Sequence, residues 1–125
     1  DNLTFLAGRI AERGNFSGCV MSDADGRILA EAGASGNGET IAAIAPKTIR
    51  QIMENMQLLS IDHLRSVSIS IKDTLYTIIP AASVVLTFIH EENKISKTQL
   101  SFARKVTKEI SWLLSRRIYA VKQKS

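Results

Sequence analysis

Chemistry in this chain would have to come from few residues: Cys19, His63, His90, the pair Asp23 and Asp25, and the glycines Gly33, Gly36 and Gly38. A phosphate-cradling loop needs a Lys directly behind its glycines, so that backbone amides and an ammonium meet the phosphates together. The GASGNG run has no such Lys and reads as a connector. Metal ligation needs His, Cys or carboxylates gathered by spacing, whereas Cys19, His63 and His90 stand singly and far apart. His90, at a strand end, suits a structural or solvated role. Asp23 and Asp25 lie beside Gly26, where they serve a turn more economically than acid–base work. No nucleophile, base and orienter can be assembled. The sequence therefore nominates no catalytic residue, cofactor or metal, and the expectation is that the chain is not an enzyme.

What remains is a question of surfaces and of the elements that carry them. At 125 residues and 45% apolar composition, residues 1–125 fit a single domain able to bury roughly two-thirds of its unfolded surface. A lone Cys19 in an apolar strand cannot close an intrachain disulfide, which favours a buried thiol and a reducing, cytoplasmic setting. The longest apolar run, Ile78 to Ile89, is shorter than a membrane span of about 20 residues and is broken by Pro80, Ser83 and Thr87. The chain opens on Asp1 with no cationic leader and apolar core behind it, as expected of an excised or trimmed domain. The net charge of +4 hides an asymmetry. Residues 1–92 carry 7 Lys/Arg against 11 Asp/Glu, a net −4, and residues 93–125 carry 9 against 1, a net +8. The basic excess belongs to a C-terminal helix and tail.

Leu3, Leu6, Ala7 and Ile10 recur at helical spacing before Gly14, which predicts a first helix over 2–13. GCVMSDADGRILAEAG, from Gly18 to Gly33, predicts a hairpin: an apolar strand, a polar turn with Asp25-Gly26 at its tip, and a second strand. A second helix is predicted from Glu39 to about Leu59, with a kink near Ala42 to Pro46 or a late start, because Pro46 removes a backbone donor. From Leu64 to Lys72, serines alternate with Val67, Ile69 and Ile71, the pattern of a half-buried edge strand. Residues 74–79 and 83–89 are apolar on both faces, as central strands sandwiched between helices require. Ser96 and Gln99 resemble a capping box. Behind it, Ala103, Val106, Ile110, Leu113, Leu114 and Ile118 mark a final helix to about Val121.

Two stripes fall outside these core faces. On the second helix Ile41, Ala45, Ile49, Ile52, Met56 and Leu59 form the core side. Ile44, Thr48, Gln51, Asn55 and Leu58 form a separate line at i, i+4, i+7, i+11 and i+14. That line suits a helix–helix contact with a second subunit; the bland alternative is an ordinary surface with a stray Ile44. Lys47, Arg50 and Glu54 then point away from the sheet, available to a further protein. On the last helix Trp112 and Tyr119 fall opposite the core stripe beside Lys105, Lys108 and Arg116. This mixture is typical of contact anchors and also suits an anionic membrane surface; here the bland alternative is cover by the first helix, or simply two surface aromatics with Lys stems packed over them. Nucleic acid is disfavoured because no recognition motif accompanies the charge.

The order helix, hairpin, helix, three strands, helix, with GCVMSDADGRILAEAG at its hairpin, resembles the Roadblock family of dynein light chain-like proteins. The resemblance implies an α/β (α+β) fold: a five-stranded antiparallel sheet with the second helix on one face and the first and last on the other, a profilin/Roadblock-like three-layer sandwich. It also implies a non-catalytic homodimer that binds or regulates a Ras-like small GTPase, or that scaffolds a motor or signalling complex. By position, Val67, Ser68, Ile69, Ser70 and Ile71 would be the subunit-joining strand, and Ile44, Thr48, Gln51 and Asn55 would lie on the paired helix. Pro46 departs from the family pattern. The rival is a small-molecule sensor resembling the PAS and GAF families. Their strand order is shared, but between the second and third strands they hold several helices and a ligand-enclosing segment, where this chain has one linker and one helix.

Overall fold

The computed structural model describes residues 2–60 and 64–124, with side chains in the last helix described as far as Arg116. The elements follow as α1 (Asn2–Arg13), β1 (Gly18–Ser22), β2 (Ile28–Ala32), α2 (Gly38–Gln57), β3 (Val67–Ile71), β4 (Thr74–Pro80), β5 (Val85–His90) and α3 (Lys97–Lys124). His63, Ile118 and Tyr119 lie outside the residues, or side chains, that are described.

The five strands form one sheet in the order β2-β1-β5-β4-β3, every neighbouring pair antiparallel. β1 and β5 are buried along their whole length because helices cover both of their faces. Alternation of side chains across the pleat sorts the core into two layers. Cys19, Met21, Ile79, Leu86 and Phe88 pack beneath α1 and α3 with Ala7, Ile10, Ala103 and Ile110. Val20 and Ile89, then Ile78 and Val85, pack against Ala42, Ala45 and Ile49 of α2. The three-layer arrangement expected from the strand patterns is present.

Local chemistry explains most boundaries. Helix α1 stops at Arg13, yet the left-handed residue is Asn15 (φ 57°), not Gly14. Gly14 is required for space, since a Cβ there would stand 2.5 Å from the Phe16 ring and 2.9 Å from Phe102. The hairpin turn is a looser loop, Asp23 to Arg27. The Asp23 carboxylate accepts from the amides of Asp25 (3.0 Å) and Arg27 (2.9 Å), and Gly26 takes the positive φ of 86°. The predicted capping box is formed in both directions. Gln99 N–H donates to Ser96 Oγ at 3.0 Å, and Ser96 N–H donates to Gln99 Oε1 at 3.1 Å. The Gln99 amide also donates to the carbonyl of Gly14 at 3.0 Å, tying the end of α1 to the start of α3.

Three expectations need correction. Helix α2 does not start late: it begins at Gly38 and runs through Pro46, whose ring is buried with Ala42, Ala45 and Ile49. Burial of the ring offsets part of the lost hydrogen bond. The turn at Gly26 also packs on this stretch, where a Cβ would come within 3.1 Å of Ala43 Cα. Leu59, read as core, is exposed because α2 ends at Gln57 and the chain turns away from the sheet there. Leu113, also read as core, lies on the α1-facing flank of α3 and is about half exposed.

Candidate functional site

The site is a surface built from one sheet edge and one helix face. β3 ends the sheet, and among the described residues no strand pairs with its outer edge. Helix α2 rests on β1, β2, β5 and β4, leaving the margin over β3 open. Val67 and Ile69 are half buried beside Ala45, Ile49 and Ile78, while Ile71 is 55% exposed. Ser68 and Ser70 point to the opposite face and are exposed, Ser68 Oγ sharing a 2.9 Å hydrogen bond with Thr77 Oγ1. The period-two reading of this strand holds for Val67 to Ser70, and Ile71 is exposed at its end.

The second line of predicted contacts borders that edge. Ile44 is 53% exposed, Gln51, Asn55 and Leu58 are exposed, and Thr48 is half buried. Between this line and β3 runs a groove of about 260 Å³, walled by Ile44, Thr48, Ile69 and Ile71 and floored by Tyr76 and Ile78. Thr87 also lines it, fully buried, with a hydroxyl that has no hydrogen-bond partner. Strand β3 and helix α2 are thus brought together into one continuous, largely apolar surface. Tyr76 and Thr87 escaped the sequence reading, because membership of a groove depends on which strands become neighbours, and no periodicity reports that.

The residues expected to face a further protein occupy other positions. Lys47, Arg50 and Glu54 are exposed on the outside of α2, but Arg50 is partly used: its guanidinium donates to the Ala24 carbonyl at 3.3 Å, bracing the hairpin loop. On α3, Lys105, Lys108, Trp112 and Arg116 are exposed, with the Arg116 guanidinium 4.8 Å above the Trp112 ring. α1 does not cover this face. A serine ladder that sequence reading missed holds α3 to the β4–β5 turn. Ser83 N–H donates to Ser111 Oγ at 3.0 Å, and the hydroxyls of Ser83 and Ser115 are bonded.

The groups with chemical potential are placed for packing. Burial pushes the Cys19 thiol up to about 12, so it stays protonated and un-nucleophilic near neutrality. Native protein is expected to resist iodoacetamide near neutral pH and to react once unfolded; rapid native labelling, read by mass spectrometry, would contradict this. Because the folded value exceeds the ordinary 9.0, this group's contribution is intact below pH 9.0 and is lost between there and about 12. His90 is buried with its ring edge-on to Phe16 at 5.9 Å and its Nε2 3.6 Å from the exposed Glu92 carboxylate. Among the described residues no three His, Cys, Asp or Glu gather as metal ligands, and no helix is long and apolar enough to cross a membrane.

No protein-family model matches the sequence, and no curated protein does either. Solved structures do match. MglB of Myxococcus xanthus superposes with a TM-score of 0.77 over 92% of this chain and 96% of that one, at 14% identity. A Roadblock/LC7 domain from Streptomyces avermitilis gives 0.78 over 90% and 97%, also at 14% identity. The chain has the Roadblock fold. A further MglB structure, described as having a tetrameric arrangement, gives 0.69 over 86% and 89% at 12% identity. The outer edge of the third strand, where the resemblance places the subunit contact, has no pairing strand among the described residues, and the same holds for the second strand at the other end of the sheet.

Proposed function

We propose that this protein is a non-catalytic homodimeric platform that binds or regulates a Ras-like small GTPase. One observation carries the self-association. An unpaired strand edge with apolar Val67, Ile69 and Ile71 on one face lies beside an exposed Ile44 line on α2, with an open apolar groove between them. A bare edge of this kind is an aggregation hazard unless something pairs with it, and a second copy does so symmetrically. Antiparallel pairing of β3 with its mate extends the sheet across a two-fold axis and lays the two α2 helices side by side. The tetrameric arrangement named for an MglB of the same fold supports self-association in this class.

The GTPase role rests on the Roadblock resemblance. In the dimer Lys47 and Glu54 stay on the outside of the helix pair, available to the GTPase along with what remains free of Arg50. The groove offers no support to the sensor alternative, because its rim residues Ile44 and Ile71 are more than half exposed and enclose nothing. Ras-like GTPases encoded beside this gene are the first to test. The expected result is capture by the immobilised protein and a changed rate of nucleotide exchange or hydrolysis. Lys47→Glu with Glu54→Lys should weaken capture without altering mass. Failure to capture any of them, with the dimer intact, shifts the role to a scaffold.

A further inference from the structure

The face of the sheet opposite α2 carries a second surface, one that the apolar groove does not touch. Helix α3 rests chiefly on β4 and β5, and Ser68 and Ser70 of β3 stay exposed. The flank of α3 that looks toward this uncovered strand presents Lys97, Arg104 and Lys108, at i, i+7 and i+11 on one side of the helix. Two adjoining clefts follow this flank. One, of about 320 Å³, is lined by Arg65, Arg104 and Lys108; the other, of about 400 Å³, by Lys97, Ser101, Arg104, Lys105 and Lys108. No carboxylate lines either cleft. Glu109 lies on the opposite flank, against α1.

Among the described residues none of these cations lies within 4.0 Å of a carboxylate. The one basic–acidic side-chain approach within 4.0 Å among those residues is His90 Nε2 to Glu92 at 3.6 Å. Arg104 is half buried, yet its guanidinium makes one long contact, 3.4 Å to Ser66 Oγ, and its buried Nε has no partner. Holding like charges together beside a desolvated guanidinium nitrogen is unfavourable unless an anion joins them.

We infer that the dimer forms, on this face, a serine-floored trough walled by the basic flanks of both α3 helices, and that it receives an extended acidic segment of a partner polypeptide. The inference rests on the β3-paired dimer. With strands ~4.8 Å apart, α3 over the β4–β5 boundary and its mate over the symmetric boundary stand roughly 19 Å apart, axis to axis. Subtracting one helix diameter of ~10 Å leaves a gap of about 9 Å, the width of a single extended chain. The floor offers the hydroxyls of Ser68 and Ser70 from each copy, and the walls offer Lys97, Arg104 and Lys108. A concave strip of this width favours a polypeptide over a flat lipid surface.

The test takes the whole chain, measures its mass by light scattering, and then titrates fluorescein-labelled decaglutamate by anisotropy at low and raised salt. The expected result is a dimer that binds the peptide in a salt-sensitive way. Lys97→Glu with Lys108→Glu, both at exposed positions, should weaken binding by about tenfold or more while leaving the mass unchanged. The matched reversal Arg27→Glu with Lys47→Glu changes net charge equally at exposed positions of the hairpin loop and α2, on the other side of the sheet, and should weaken it far less. A dimer that ignores the peptide, or binds equally through both reversed pairs, overturns the trough and leaves the dimer standing. A monomeric native chain overturns the dimer and the trough with it. Binding to phosphatidylserine-containing vesicles but not to decaglutamate overturns the assignment in favour of a membrane surface.

Discussion

Ile69→Lys on β3, or Ile44→Glu on α2, is expected to turn a dimer into a monomer or into insoluble protein. Both residues wall the same groove, and neither is finished within one chain: Ile69 is half buried and Ile44 is 53% exposed. Completing the burial of such a side chain contributes about 1.5–3 kcal/mol at most, and a two-fold interface counts it twice. A charge put there loses that contribution and must also be desolvated without a partner, at a cost of several kcal/mol. Since about 1.4 kcal/mol is a tenfold change in association, either substitution should weaken the dimer by several decades. Light scattering or sedimentation reads the outcome. The two variants should behave alike although they sit on different elements, whereas a stray surface isoleucine would tolerate Glu with no change of mass. A native chain already monomeric at working concentration would reject the reading outright.

Phe88→Ala is expected to cost about 3–5 kcal/mol of folding stability. Phe88 is fully buried in the middle of β5, between β1 and β4, and its ring meets Phe16 at 5.0 Å beneath the α1 and α3 layer. Truncation leaves a cavity bounded by strands paired on both sides, which cannot collapse without breaking the ladder. Against a typical total of about 5–15 kcal/mol, that loss should move the urea midpoint far down with little change of slope. A midpoint within error of the native protein would mean that α1 and α3 are not held to the sheet by this core.

The parts of the fold that depend on neighbours along the chain were legible in the residues themselves. Serines alternating with Val67, Ile69 and Ile71 announced an edge strand, because a pleat sends successive side chains to opposite faces. Ser96 and Gln99 announced the start of α3, because each side chain reaches the other's amide across one turn. The line from Ile44 to Leu58 was legible for the same reason, and so was the pairing of Trp112 with Arg116, four residues apart on one helix face.

Of the two expectations for Pro46, a kink or a late start, the late start failed, because the helix begins at Gly38 and carries the proline inside it. Its ring is buried along with Ala42, Ala45 and Ile49, and that burial offsets part of one missing donor. Leu59 and Leu113 were misread because periodicity gives a face but not where its cover ends. By itself, the sequence determined the elements, their polar and apolar faces, and the concentration of positive charge in α3, all consequences of spacing along the backbone. Only the tertiary structure decided that the edge of β3 and the face of α2 make one groove, that Tyr76 and Thr87 floor it, and that Arg65 and Ser66 meet the cations of α3. Those contacts join residues distant in the chain, and their geometry is set by strand order and by how far each helix reaches across the sheet.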